Sequence, residues 1–114
     1  MKLSHIIGNL NLKNQTPSAN LNVDVTGGYI SDLLSDVMAH AKKGDIWITL
    51  QIHQNTVAVA TLKELAGIVI INGKLPAHET IKKAEEEGIP ILTSESTAFE
   101  LICELCKLGI SGAR

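Results

Sequence analysis

The sequence has few aromatic residues, no concentrated positive charge and no long apolar run, and each shortage excludes a class of protein. Aromatic residues make up 3% of the 114 residues, so an aliphatic core is expected, which suits a sheet covered by helices. The ten lysines and arginines are scattered and the formal net charge is -2, so a nucleic-acid partner is not expected. No apolar run is long enough to span a bilayer and no secretory leader is visible, which predicts a cytoplasmic protein without a membrane partner.

The two cysteines, Cys103 and Cys106, lie three residues apart near the end of a predicted helix. Such a pair can be redox active when it opens a helix, or can form half of a zinc site. No second cysteine pair accompanies it, and the four histidines show no metal-ligand spacing among themselves. We therefore predict two reduced thiols packed on or near the apolar face of the helix, with no metal or other cofactor.

Hydrophobic periodicity predicts one domain over residues 1–114 in which strands and helices alternate. A short amphipathic helix opens the chain, with Ser4 placed to cap it. The first strand is predicted at Leu21–Val25, and the Gly27-Gly28 pair that follows predicts a turn into the next helix. Further strands are predicted at residues 46–52, 67–71 and 89–93.

Helices are predicted from Asp32 to Gly44, over residues 55–65, from Pro76 to Gly88, and from Ser96 or Thr97 to Gly109. Residues 55–65 alternate like a strand, but the buried run after them is typical of a parallel strand, which needs a crossover helix. In the last helix, Thr97 and Glu100 have the spacing of a capping box, with Phe99, Ile102, Cys103 and Cys106 on the predicted apolar face. The order predicts an α/β fold, a mostly parallel sheet of about four strands between helical layers.

Polar residues and glycines follow every predicted strand, and open parallel sheets bind ligands beyond the carboxyl ends of their strands. These residues are the candidate ligand site: Asp24, Thr26, Gly27, Gly28, His53, Asn55, Asn72, Gly73 and Thr93. The same residue types are also favoured in turns and caps, so a purely structural role stays open. Asp24, Asp32 and Asp36 lie near the predicted turn without a nearby lysine or arginine, which favours a neutral ligand, a cation-bridged anion or no ligand over a bare phosphate.

No catalytic signature is present. The segment from Gly67 to Lys74 approaches a P-loop, but five residues separate its glycines and Leu75 replaces the required serine or threonine. The enzymatic alternative is a kinase-like or other small enzyme that uses His53 as a general base or the aspartates Asp24, Asp32 and Asp36, of which Asp32 and Asp36 could share a metal. A hydrogen-bonded histidine and dipole-stabilising carboxylates explain the same residues without catalysis.

The sequence resembles the DRTGG domain family over roughly residues 20 to 108. The resemblance is carried by these segments: Asp24-Val25-Thr26-Gly27-Gly28, residues 33–39, residues 44–49, Gln51 with His53, residues 58–60, Asn72-Gly73 and residues 88–91. The arginine that gives the family its name is Val25 here, which removes one positive charge from the turn and weakens the expectation of an anion there.

The resemblance implies a non-catalytic regulatory or dimerising function. Our first hypothesis is a regulatory homodimer that binds a small metabolite, a nucleotide or a partner protein. DRTGG domains occur alone and as accessory domains, beside CBS domains in regulated pyrophosphatases and in some phosphotransacetylases. The family is distantly similar to the N-terminal domain of HPr serine kinase, but this chain lacks the P-loop of a kinase. The apolar residues 57–60 cover most of the circumference of their predicted helix, which favours a dimer. A structural dimerisation domain without a ligand is the further alternative.

Overall fold

The computed structural model describes residues 1–112 and shows one sheet of five strands covered by helices on both faces. Along the chain the elements are α1 (Leu3–Leu10), β1 (Lys13–Asn14), β2 (Gly27–Ile30), α2 (Leu34–His40), β3 (Asp45–Thr49), α3 (Asn55–Lys63), β4 (Gly67–Ile70), α4 (His78–Glu87), β5 (Ile91–Thr93) and α5 (Ala98–Lys107). The strand order is β1-β5-β4-β3-β2, and only β1 runs antiparallel to its neighbour. The predicted α/β class is confirmed, with the two-residue β1 as an additional strand.

The core consists of two aliphatic layers, one on each face of the sheet. Helices α2, α3 and α4 cover one face, where Trp47 is fully buried among aliphatic side chains of β4 and β5. Helices α1 and α5 cover the other face, where Leu3 and Ile6 of α1 meet Leu101 and Leu105 of α5 around β3, β4 and β5. None of the helices within residues 1–112 is long and apolar enough to cross a membrane.

The strand predicted at Leu21–Val25 is wrong, because this segment is extended but does not join the sheet. It runs beside the start of α1, where the carbonyl oxygens of Val23 and Leu21 accept from the backbone N–H groups of Leu3 and Ser4 at 2.9 Å each. These bonds satisfy donors that the first turn of a helix leaves free. Neighbouring backbone therefore caps α1, and the predicted cap at Ser4 is wrong as well, since no side chain caps this helix.

The turn predicted at Gly27-Gly28 is also wrong: both glycines lie inside strand β2, paired with Asp45 and Ile46 of β3. Neither has a positive φ. A β-carbon on Gly28 would contact the Ile46 and Ile110 side chains at 3.6 and 3.8 Å. Both distances are ordinary van der Waals contacts, so neither space nor backbone conformation requires a glycine at this position.

Three helix predictions are confirmed in detail. Residues 55–65 contain α3, as the need for a crossover between parallel strands required. Thr97 and Glu100 form the predicted capping box of α5, with the Thr97 side chain accepting from the Glu100 N–H and the Glu100 carboxylate accepting from the Thr97 N–H. Gly88 ends α4 in the left-handed conformation at φ +70.

The predicted buried face of α5 is wrong. Leu101 and Leu105 face the core, whereas Phe99 is 82% exposed and both cysteines are exposed. Ile102 is half-buried between these two sides. The helix has apolar residues on two faces. Leu101 and Leu105, whose side chains are larger than those of the cysteines, face the core.

Candidate functional site

The predicted ligand residues lie at the two opposite ends of the parallel strands, which we call the amino edge and the carboxyl edge of the sheet. Because β2 begins at Gly27, in register with Asp45 of β3, the stretch from Asp24 to Gly28 lies at the amino end of the parallel strands. The other predicted residues follow or end strands at the carboxyl edge: His53, Asn55, Asn72, Gly73 and Thr93. The placement of Asp24 at the end of a strand, with Thr26, Gly27 and Gly28 after it, is therefore wrong, and the fold does not bring the two groups together.

At the amino edge, the polar groups have structural partners. Thr26 donates its backbone N–H to the Gly44 carbonyl oxygen at 3.0 Å. Its hydroxyl lies against the α-carbon of Gly44, so that a β-carbon there would come within 2.3 Å of the Thr26 Oγ1. The buried carboxylate of Asp45 accepts from the Lys42 N–H at 2.8 Å. Asp24 forms an exposed ion pair with Lys2 at 3.3 Å.

Asp32 lies at the carboxyl edge, just after β2, because β2 lies at Gly27–Ile30 and not at the predicted residues 21–25. Its Oδ1 accepts from the Thr49 hydroxyl at 2.8 Å and from the Leu50 N–H at 2.7 Å. The Gln51 side chain donates to the Asp32 carbonyl oxygen at 2.9 Å. Asp32 thus joins the end of β2 to the end of β3, and it does not cap α2, for which no side-chain cap is found.

Asp36 belongs to a separate cluster on α2 and β2. The Tyr29 hydroxyl donates to Asp36 Oδ2 at 2.8 Å, and His40 Nδ1 lies 3.0 Å from Asp36 Oδ1. The hydrogen bond from Tyr29 lowers the pKa of Asp36, aided by Ser31 and His40, and the same bond raises the pKa of Tyr29. Asp32 and Asp36 therefore have different partners, and residues 1–112 hold no group of three or more potential metal ligands.

Replacement of Tyr29 by phenylalanine is expected to raise the pKa of Asp36 towards its ordinary value of 3.8, because the largest cause of the lowering is lost. A lowered carboxyl pKa means that the cluster stabilises the fold above the ordinary aspartate pKa and loses this effect as pH falls through the lowered value. Carboxyl NMR titration measures the change. His40→Ala is the control and should raise the pKa of Asp36 by less; an unchanged pKa in Tyr29→Phe would contradict the assignment.

His53 and Asn55 lie at the start of α3, at the carboxyl end of β3. The His53 carbonyl oxygen accepts from both the N–H and the hydroxyl of Thr56, at 3.1 and 2.9 Å. The His53 side chain is exposed and Asn55 is the first residue of the helix, also exposed. Both residues are accessible to a ligand, and the backbone of His53 also supports the first turn of α3.

The carboxyl ends of β4 and β5 form a pocket of about 70 Å³ that contains two of the predicted residues, Gly73 and Thr93. The Gly73 N–H donates to the Ser94 carbonyl oxygen at 2.9 Å, which holds the two strand ends together. Lys13 and Lys74 also line the pocket. We call this site the lysine pocket; its whole lining is Asn11, Lys13, Gly73, Lys74, Leu75, Thr93, Ser94 and Glu95.

Sequence reasoning missed both lysines of this pocket. Lys74 follows Gly73 directly and could have been found from the strand end. Lys13 comes from β1, whose two residues pair with Thr93 and Leu92 of β5. A two-residue strand in a polar loop has no periodicity, so nothing in the sequence indicated that Lys13 reaches this edge.

A second, apolar groove of about 190 Å³ lies between the edge strand β2 and α5. Its side chains include Ile30, Ile102, Cys106 and Ile110, and none of its lining residues is charged. Gly28, a predicted ligand residue, forms part of its floor, and Gly112 approaches the Gly28 carbonyl oxygen. We call this feature the α5 groove.

At the level of sequence, no protein-family model and no curated protein matches this chain. Its fold is similar to a crystal structure of the CBS and DRTGG domains of the regulatory region of Clostridium perfringens pyrophosphatase, complexed with the activator diadenosine tetraphosphate. The TM-score is 0.66 at 15% sequence identity, over 91% of this chain and 45% of that one. This chain therefore spans less than half of the regulatory region that it matches. The fold implied by the resemblance to DRTGG domains is confirmed: the chain has a DRTGG-like fold.

Proposed function

We propose that this chain is a non-catalytic regulatory module that binds a small phosphorylated ligand and acts as a homodimer. The observation that carries the proposal is the fold, which is similar over 91% of the chain to a regulatory region with a nucleotide activator. Because the likeness concerns the fold, the position of a ligand on this chain has to be argued from the chain's own residues.

The lysine pocket is the place that best fits a phosphate group. Lys13 and Lys74 come from separate parts of the chain and both line the pocket, while Glu95 is its one acidic lining residue and has its carboxylate against Gly73. The three aspartates that disfavour a bare phosphate at residues 26–28 do not line this pocket. Asp24 lies at the amino edge, and Asp32 and Asp36 are not among the lining residues. Two lysines against one glutamate at the carboxyl edge of a parallel sheet favour an anion there.

The size and surroundings of the pocket fit one phosphate group with the remainder of the ligand outside. A volume of about 70 Å³ is far below the ~300 Å³ or more of pockets that enclose whole ligands. Leu75 lines the pocket and is 65% exposed, so it offers an apolar surface for a base or ring. Of the predicted ligand residues, we place Gly73 and Thr93 in the pocket, with Asn72 beside them.

The Lys13→Ala/Lys74→Ala double variant is expected to bind phosphorylated ligands at least about tenfold more weakly, a loss of about 1.4 kcal/mol. Thermal-shift measurements with ATP and with diadenosine tetraphosphate test this. A ligand at about one hundred times its Kd stabilises a protein by about 2.7 kcal/mol, which is readily seen as a higher Tm.

Lys42→Ala/Lys43→Ala is the matched control, because both residues are exposed lysines at the opposite edge of the sheet. It removes the same two positive charges and should leave the shift unchanged. No shift of the wild-type protein with either probe would contradict ligand binding. An equal shift in wild type and double variant would contradict the lysine pocket as its place.

The homodimer is supported by α5 and not by the helix on which the sequence-based argument relied. Helix α3 packs between α2 and α4 of the same chain, which accounts for the burial of Val57, Val59 and Ala60. The outward face of α5, in contrast, has no cover within residues 1–112, and Phe99 projects from it. Sedimentation velocity at micromolar concentration measures the assembly, and a monomer would contradict this part of the proposal.

A further inference from the structure

Helix α5 presents a second apolar face to solvent. Its inward face is formed by Leu101 and Leu105, which are 2% and 4% exposed. Its outward face carries Phe99, Cys103 and Cys106, all exposed. A helix that is apolar on two sides is typically covered on both, and a contiguous exposed apolar patch of this kind marks an interaction surface.

The same outward face carries a projecting side chain at one end and a cavity at the other. Phe99 stands in the first turn, and the α5 groove lies beside Cys106 in the last turn. The two features are seven residues apart, or about 10 Å along the helix. An apolar cavity of about 150 Å³ is enough to hold benzene, so the groove of about 190 Å³ can accept the phenyl ring.

We propose that α5 packs antiparallel against α5 of a second copy, so that Phe99 of each copy enters the α5 groove of the other. This arrangement names the surface of the homodimer proposed above and rests on that proposal. A two-fold axis makes every contact occur twice. A projection and a cavity on the same face can therefore form two equivalent contacts, each between the projection of one copy and the cavity of the other. The axis passes beside Ile102 and Cys103, midway between Phe99 and Cys106.

The charges at the rim agree with the antiparallel direction. Glu100 and Lys107 lie seven residues apart, on the same flank of the outward face. About a two-fold axis midway along the helix, Glu100 of one copy comes near Lys107 of the other, and the pair forms at both ends. Parallel helices about a two-fold axis would place these side chains of the two copies on opposite flanks, where Glu100 and Lys107 do not meet.

Cysteine cross-linking tests the position of the axis, because the chain carries a cysteine beside it and another away from it. The probe is diamide, which takes up the two electrons and two protons that two thiols release when they form a disulfide. The Cys106→Ser variant, which keeps Cys103, is expected to give a covalent dimer. The Cys103→Ser variant is the matched control: its two Cys106 residues lie about 10 Å apart along the helix, beyond the ~4.4–6.8 Å Cα separation that a disulfide requires.

Removal of the projecting ring tests the contact itself. Phe99→Asp is expected to raise the dimer dissociation constant at least about tenfold in sedimentation velocity, while circular dichroism stays unchanged because the side chain is 82% exposed. Leu62→Asp is the control, since Leu62 is 72% exposed on α3, across the sheet from α5. It should leave the dimer intact.

The outcomes separate this inference from the proposed function. A wild-type dimer that persists in Phe99→Asp and gives no Cys103 cross-link overturns the α5 interface and leaves the homodimer standing. A wild-type monomer overturns both the interface and the homodimer. Neither result touches ligand binding, which is read from the Tm with and without ATP.

Discussion

Replacement of Trp47 by alanine is expected to lower the free energy of unfolding by about 3–5 kcal/mol. Trp47 is the only tryptophan of the chain and is fully buried in the middle of β3. Its neighbours in register are Tyr29 on β2 and Ile68 on β4. The variant leaves a large cavity in the layer between the sheet and α2, α3 and α4, because close-packed neighbours relax only in part.

Trp47→Phe separates the packing of the ring from its hydrogen bond. The Trp47 Nε1 donates to the Ser31 carbonyl oxygen at 2.9 Å, which holds the end of β2 against the sheet. Phenylalanine keeps much of the apolar volume but leaves that oxygen without this donor, so the expected loss is about 1–3 kcal/mol. Urea unfolding followed by far-UV circular dichroism measures both variants, since tryptophan fluorescence is lost with the residue. A loss below about 1 kcal/mol in Trp47→Ala would contradict this account of the core.

The elements predicted correctly are those that either a local motif or the connection between parallel strands determines. The apolar run at Gly67–Ile70 is buried at every position because it is a central parallel strand with helices on both faces. The need to connect two such strands then made α3 the better interpretation of residues 55–65, despite their alternating pattern. Thr97 and Glu100 formed their capping box because that motif depends only on residues three apart.

The segment Leu21–Val25 shows why an alternating pattern does not establish a sheet strand. Its apolar residues do pack against the core, with Val25 2% exposed. Its backbone, however, bonds to the start of α1 instead of β3. Periodicity reports which side chains are buried, and it carries no information on which backbone the segment pairs with.

This one error displaced four of the nine candidate residues. With β2 at Gly27–Ile30, the residues beyond its carboxyl end are Ser31 and Asp32, and the residues around Thr26 lie at the opposite edge. Strands β4 and β5 were placed correctly, so Gly73 and Thr93 do meet in one pocket. A site at the ends of parallel strands can be predicted from sequence only as accurately as the last residue of each strand is predicted.

The glycine that the amino edge requires is Gly44, and Gly44→Ala is expected to cost about 2–5 kcal/mol in stability. Two effects add. Gly44 has φ +84, a conformation that costs an alanine about 1–2 kcal/mol. A β-carbon would also lie 2.3 Å from the Thr26 Oγ1, and relieving such a clash costs about 1–3 kcal/mol.

Two further variants separate these effects. Gly88→Ala places alanine at a similar φ of +70 with no atom within 4 Å of the new β-carbon, so it should show the backbone cost alone. Adding Thr26→Ala to Gly44→Ala removes the clashing oxygen, and the remaining Thr26 Cβ lies at an ordinary 3.5 Å. The added cost of Gly44→Ala in the Thr26→Ala background should therefore fall to that of Gly88→Ala. If the Gly44→Ala cost is the same with and without the Thr26 hydroxyl, the contact is not what requires glycine there, and backbone conformation alone explains it.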